Sequence, residues 1–191
     1  MKTLLPKSIP GLQTLFDRKY KHHVFELDCA AMPAFSSYCR GKVKKGDVSD
    51  IFANLDSIKT PIIYWFQFDD AATARKQLLR LESYRRQQRR VAKKVRRVIP
   101  LKNASSTGKV LYAGKRLGGC GKKTGFTYAG DRIEMHLGYN RNGSNQGLQL
   151  CHWCDARLTL NVVELSKGAA PYLTAIELLF ALELNPRLGR H

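Results

Sequence analysis

The clearest hydrophobic run in the chain is Pro61–Phe68, PIIYWFQF. It is apolar on both alternating faces and rich in β-branched and aromatic residues, which predicts a strand in the middle of a sheet. Alternation puts Ile62, Tyr64, Phe66 and Phe68 on one face. Tyr64 is then either a core tyrosine, which periodicity alone favours, or a hydroxyl delivered to a site. Lys109–Gly114 and Leu158–Leu165 read as two further strands, and Val24–Leu27 as a short one.

Helical spacing accounts for most of the rest. Asp47 can cap a short helix with Ile51, Phe52, Leu55 and Ile58 on its apolar side. Asp69 or Asp70 can cap a long helix reaching Val98, with a near-heptad stripe of Ala74, Leu78, Leu81, Tyr84, Val91, Val95 and Val98. That helix is a rod of about 42 Å. Pro100 stops it. A further helix over Thr127–Tyr139 carries Arg132 and His136 on one face, because residues four apart lie one above the other. Leu148–Cys154 reads as a short helix. Pro171 opens a last helix over Tyr172–Leu184 at a position where its missing N–H costs nothing. Leu173, Ile176, Phe180 and Leu184 form a stripe there, with Glu177 inside it. A carboxylate in that place is expensive to bury without a cation. Glu177 is a metal ligand, a salt-bridge partner for an arginine or a residue at the edge of a cleft.

The fold class is α+β, a small central sheet flanked by helices. Residues 1–60 read as an N-terminal layer packed on the core. Residues 61–191 read as the main domain, with a basic helical insertion at 70–99 between its first two strands.

Composition sharpens the functional reading. Lys and Arg number 33 against 15 acidic residues, a formal charge of +18 in 191 residues. That excess calls for a polyanionic partner, and nucleic acid fits better than a membrane, because no apolar run is long enough to span a bilayer. MKTLLPKSIP does not read as a signal peptide, so a cytoplasmic protein is expected. The long helix concentrates the charge: Arg75, Lys76, Arg80, Arg85, Arg86, Arg89, Arg90, Lys93, Lys94, Arg96 and Arg97 oppose only Glu82. Ordinary solvated faces mix signs, so a phosphate-backbone contact is favoured over a solvated face. Gly118–Gly125, with Lys122 and Lys123, nearly mimics a P-loop. Lys123 stands where Ser or Thr is required, and Arg116 where the first glycine belongs, so nucleotide triphosphate binding is rejected. A loop for polymer phosphates stays open. Of the cysteines, Cys151 and Cys154 have the spacing of half a zinc site. Buried structural thiols are the favoured reading, since no second close pair exists.

Tyrosine, lysine, arginine and histidine therefore converge in order along the chain on a set suited to a phosphodiester. In that order the residues resemble the GIY-YIG nuclease superfamily. Ile62-Ile63-Tyr64 stands for the first motif and Tyr112-Ala113-Gly114, followed by Lys115, for the second. Arg132 matches the helical arginine, and His136 the histidine of the branch containing certain type II restriction enzymes. Glu177 matches the late metal-binding glutamate, and Asn185–Gly189 the proline-containing close of the domain. The likeness covers residues 61–189. Departures are Ile62 for the first glycine, Ala113 in the second motif, the long separation of Tyr64 from Tyr112, and Gly189 where an asparagine often stands.

The resemblance implies a Mg²⁺- or Mn²⁺-dependent endonuclease cutting double-stranded DNA, restriction-like, with one ion per active site held by Glu177. Arg132 would clamp a phosphate oxygen and Tyr64 act as general base, its pKa of about 10 lowered by nearby cations. His136 would take the tyrosine's proton or orient it. Tyr112 would be the alternative base or a phosphate contact. Lys115, Lys122, Lys123, Arg85, Arg86, Arg89, Arg90 and Lys93 would hold DNA. A homodimer is compatible with this. The rival readings are a non-catalytic basic nucleic-acid-binding protein, a structure-specific repair nuclease, and an assembly protein whose long helix pairs with a copy of itself.

Overall fold

The computed structural model describes residues 20–38, 48–91, 99–117, 129–139 and 147–189. Four strands form one antiparallel sheet: β1 (His22–Asp28), β2 (Ile62–Gln67), β3 (Val110–Arg116) and β4 (Arg157–Glu164), in the spatial order β1-β4-β2-β3. Four helices pack on it: α1 (Ser49–Ser57), α2 (Ala71–Gln88), α3 (Ala129–Leu137) and α4 (Leu173–Leu184). The chain is α+β, as its pattern predicts.

The apolar run at β2 has the structural reason expected of it. β2 lies between β4 and β3 and is covered on both faces. Ile62, Tyr64, Phe66 and Phe68 join the larger core, with Leu55 of α1, Leu81 of α2 and Ile133 of α3. Ile63 and Trp65 face a smaller core built with Leu173, Ile176 and Phe180 of α4. Ile62, Ile63, Tyr64 and Phe66 are each 0% exposed. At roughly 1.5–3 kcal/mol for each large apolar side chain removed from water, β2 is the main anchor of the sheet.

Several boundaries differ from the sequence reading. The N-terminal stretch does more than cover the core, since β1 is an edge strand hydrogen-bonded along β4. Val48, not a capping acid, is the N-cap of α1, and Asp47 lies outside the described residues. Asp70 caps α2, its carboxylate accepting from Thr73 N at 2.7 Å. α2 ends at Gln88 rather than Val98, and residues 92–98 lie outside the described residues. Leu148–Cys154 contains only a 3₁₀ turn over Leu150–His152. Pro171 sits inside a second 3₁₀ turn over Lys167–Tyr172, so α4 begins two residues after it.

The near-heptad stripe of α2 is used within the chain. Ala74, Leu78, Leu81 and Tyr84 are buried in the larger core, Val91 is half-buried, and Val95 and Val98 lie outside the described residues. Gln77, also buried, donates to Asp155 Oδ1 at 2.5 Å and ties α2 to the loop before β4.

β3 is the other edge strand, and the C-terminal tail closes its beginning. Arg187 N donates to Val110 O at 3.0 Å and Leu188 N to Leu111 O at 2.9 Å. The β2–β3 register shifts between Phe66 and Gln67, a bulge that leaves Tyr64 directly opposite Gly114.

Candidate active site

The site assembles around one phenol oxygen. β2 sends Tyr64 onto the face covered by α3, and α3 returns Arg132 and His136 from one side of the helix. His136 Nε2 lies 2.8 Å from Tyr64 Oη, and Arg132 Nε donates to the same oxygen at 3.1 Å. Leu148 N donates to His136 Nδ1 at 3.3 Å. A neutral imidazole that accepts at Nδ1 carries its proton on Nε2. His136 therefore donates to Tyr64, whose oxygen takes two N–H bonds. Of the two roles open to the histidine in the sequence, orienting the phenol fits this tautomer and accepting its proton does not.

Tyr112 completes the inner group. It stands two residues before Gly114 on β3, its ring tilted against both Tyr64 and His136. Its hydroxyl interacts electrostatically with Tyr64 and Arg132.

Gly114 makes this possible. A Cβ there would lie 2.6 Å from Tyr64 Oη, 2.8 Å from Tyr64 Cζ and 2.9 Å from Tyr112 Cε1. Gly114→Ala should therefore push both phenols off their partners. The expected result is a destabilised fold around the two phenols, read as a Tm below that of wild type in thermal melts.

The opposite face of the sheet contributes the remaining charges. Lys115 pairs in register with Ile63 and so points toward α4, where its Nζ meets Glu177 Oε2 at 2.8 Å and Thr174 Oγ1 at 2.8 Å. Because β3 is an edge strand, groups from both faces meet around it. The Glu177 carboxylate is near enough to act electrostatically on both phenols. Of the roles open to Glu177 in the sequence, a salt bridge is present, but to a lysine rather than the arginine expected. Its other oxygen, Oε1, has no protein partner among the described residues.

Burial decides the protonation states. Tyr64 is pushed above the ordinary phenol value chiefly by desolvation, with Tyr112 and Glu177 adding and Arg132 opposing. Of the cations expected to lower it, Arg132 does so, and its effect does not outweigh complete removal from water. Tyr112 is raised for the same first reason. Burial works against the Arg132 charge, but the two phenols more than compensate and its pKa rises. Burial, then Arg132, holds His136 well below 6.5. The sign follows from linkage. Below about pH 6.5 the unfolded histidine binds a proton that the folded one refuses, so stability falls as pH drops, by up to about 1.4 kcal/mol per unit. Thermal melts should show Tm decreasing from pH 6.5 downward, and His136→Gln should flatten that dependence.

The other expected contacts divide. Arg85 is not a free cation: it meets Glu82 Oε1 at 2.8 Å and the carbonyl of Pro100, so it is spent on holding the chain after α2. Arg80 is likewise engaged, with Asp155 Oδ2 at 2.7 Å. Arg86, Arg89 and Arg90 are exposed at the end of α2. Lys93, Lys122 and Lys123 lie outside the described residues, as does most of the glycine-rich loop. Cys154 is hydrogen-bonded to Cys29 of the β1 end, and burial together with that bond keeps Cys29 a thiol. Among the described residues no group of three His, Cys, Asp or Glu side chains is placed to hold a metal ion.

Two participants escaped the sequence reading. One is the Leu148 amide, a backbone group that no residue type advertises. The other is the Lys115–Glu177 pair, whose members are far apart in the chain. Gly147 was a usable signal for the first: a Cβ there would lie 2.3 Å from Met135 O, so the chain passes tight against α3 just before Leu148. Family models, curated proteins and solved structures yield no match to this chain.

Proposed function

We propose that the protein is a metal-dependent DNA endonuclease of the GIY-YIG type, restriction-like in its site. The observation that carries this reading is the convergence on the Tyr64 oxygen of His136, Arg132 and Tyr112, with Lys115 and Glu177 reaching around the edge strand. Positive charge beside titratable oxygens is what hydrolysis of a phosphodiester requires.

Arg132 and Lys115 supply the charge that holds phosphate oxygens and offsets the extra negative charge of the transition state. Tyr64 is the base. Its proton passes to Tyr112 and outward, and the phenolate left behind is stabilised by N–H donors from Arg132 and His136. That phenolate takes a proton from the attacking water, and the 3′ oxygen departs in line and takes a proton from solvent, giving a 5′ phosphate and a 3′ hydroxyl. His136 is a positioning residue in this scheme.

The fit of a divalent cation rests on Glu177. Its carboxylate is a hard oxygen donor, 19% exposed, with Oε1 uncommitted. A single carboxylate suits Mg²⁺, which keeps most of its shell as water and phosphate oxygen. When bound, such an ion supplies Lewis-acid stabilisation of charge on the phosphate and the leaving oxygen.

The long reach of the basic surface supports DNA as partner. Arg86, Arg89 and Arg90 are exposed, whereas Arg85 is committed within the chain, so these three are the cations assigned here to phosphates. Replacing these three with glutamine should weaken binding and reduce the salt slope by about three contacts' worth, roughly 0.9 per phosphate. Arg85→Gln should leave the slope unchanged and lower Tm instead. Fluorescence anisotropy over a salt series separates the two.

The test of the whole reading is cleavage of supercoiled plasmid with Mg²⁺ and with EDTA, using Glu177→Ala as control. Mg²⁺-dependent cleavage lost in the variant supports it. Salt-sensitive binding without cleavage by either protein replaces it with a non-catalytic binding protein.

A further inference from the structure

A cavity of about 560 Å³ opens between the first turns of α2 and the loop over residues 102–107, outside the site described above. One wall is apolar, formed by Ala72, Leu78, Leu79 and Ala104. Arg75, Lys102 and Arg187 line the rest, with Glu82, Ser106 and Thr107 as the polar remainder. Glu82 is already paired with Arg85, and Ser106 donates to the carbonyl of Asn185. Neither Arg75 nor Lys102 has an acidic partner among the described residues.

Arg187 is the telling group. It is 7% exposed. Its Nε and Nη2 donate to the carbonyls of Gly108, Thr107 and Ala71, and no carboxylate among the described residues pairs with it. Nη1 has no protein partner among the described residues. A buried cation without a counter-ion is costly, and here a second guanidinium, Arg75, adds repulsion. The carbonyls fix the fork of Arg187 in place and leave one terminal nitrogen uncommitted.

We infer that this cavity binds a nucleotide, its phosphate between Arg75, Lys102 and Arg187 and its base against the Leu78–Leu79 wall. The volume falls in the range of small-ligand sites, and such sites pair an apolar lining with a few fixed polar groups. A phosphate satisfies all three cations at once, and a base covers apolar surface that inorganic phosphate leaves wet. The nucleotide is either free or a unit of a nucleic-acid strand. The inference stands on this cavity alone and holds whether or not the Tyr64 site cleaves DNA.

Calorimetric titration of the whole protein tests it, with deoxythymidine monophosphate, inorganic phosphate and thymidine as probes. The monophosphate should bind, inorganic phosphate should bind more weakly, and thymidine should not bind measurably. The double variant R75E/K102E, both positions exposed, should lose about tenfold or more in affinity for the monophosphate. Ala104→Phe, which fills the cavity without altering charge, should do the same while circular dichroism stays unchanged. No heat with the monophosphate, undiminished affinity in both variants, or equal affinity for inorganic phosphate each overturns the inference. A labelled single strand separates the sources. Displacement by the monophosphate makes the ligand part of a strand, and strand binding without displacement makes it the free nucleotide. Glu177→Gln lacks cleavage under the nuclease reading but should bind the monophosphate normally, so the two ideas fail separately.

Discussion

Tyr64→Phe is expected to lower kcat by about 10²–10⁴-fold, the usual worth of a positioned acid or base, while leaving DNA affinity within a few-fold of wild type. The substitution removes one oxygen from the centre of the site and nothing from the basic surface. It also orphans two donors, Arg132 Nε and His136 Nε2, which meet at that oxygen in a buried place. Each unsatisfied donor costs roughly 1–3 kcal/mol. The variant should therefore melt at a lower temperature than wild type, and kinetic comparison belongs well below its Tm. The pH profile gives a second handle. The reactive form of Tyr64 is the phenolate, and burial raises its pKa above the ordinary phenol value. Below that pKa the phenolate fraction grows tenfold per pH unit, so log kcat should rise with a slope near one and still be rising at about pH 10. Tyr64→Phe should abolish that limb. Wild-type turnover by the variant, or a limb that survives it, would remove Tyr64 from the role of base.

Glu177→Ala is expected to abolish Mg²⁺-dependent cleavage and, in the same protein, to tighten DNA binding. The first effect follows from loss of the carboxylate that suits the cation. The second follows from the ion pair. Lys115 Nζ is held by Glu177 at 2.8 Å and is part-buried beside α4. Removing the acid raises the net charge by one and frees a lysine on the edge strand. The salt dependence of binding should steepen by up to about 0.9, one additional phosphate contact. Filter binding across a salt series, beside cleavage under Mg²⁺, reads both. Weaker binding in the variant would mean that Glu177 organises the DNA-facing surface, and would count against its place as the cation ligand. Lys115→Ala is the companion. It removes the lysine that Glu177 holds, so the steepening should be absent from the double variant Lys115→Ala/Glu177→Ala.

Both arguments depend on the edge position of β3. Groups that alternate to opposite faces of a sheet ordinarily cannot share a site. At an edge strand they meet around the backbone, and a glycine at the crossing point removes the remaining obstacle. Gly114 stands there, opposite Tyr64. A larger residue would have turned the same topology into two unconnected clusters.

Much of this was already determined by the sequence. The double-sided apolar run of β2 made it a central strand, because only burial on both faces tolerates such a run. Asp69 or Asp70 marked the start of α2, and the structure uses Asp70. The spacing of Arg132 and His136 put them on one face of α3 before any fold was known, since helical geometry is local. The stripe of α4 identified its buried side and left Glu177 as an acid needing a partner. What the sequence left open were pairings between distant segments and states set by burial. Nothing local said that Lys115 would take Glu177, or that Arg85 would be consumed by Glu82 and Pro100. Only packing showed that Ala74, Leu78, Leu81 and Tyr84 of the α2 stripe enter the chain's own core. The balance that sets the Tyr64 pKa was illegible for the same reason. Cations can be counted along a chain, but desolvation is a property of the surrounding volume, and that volume exists only once β2, β3 and α3 have closed over the phenol.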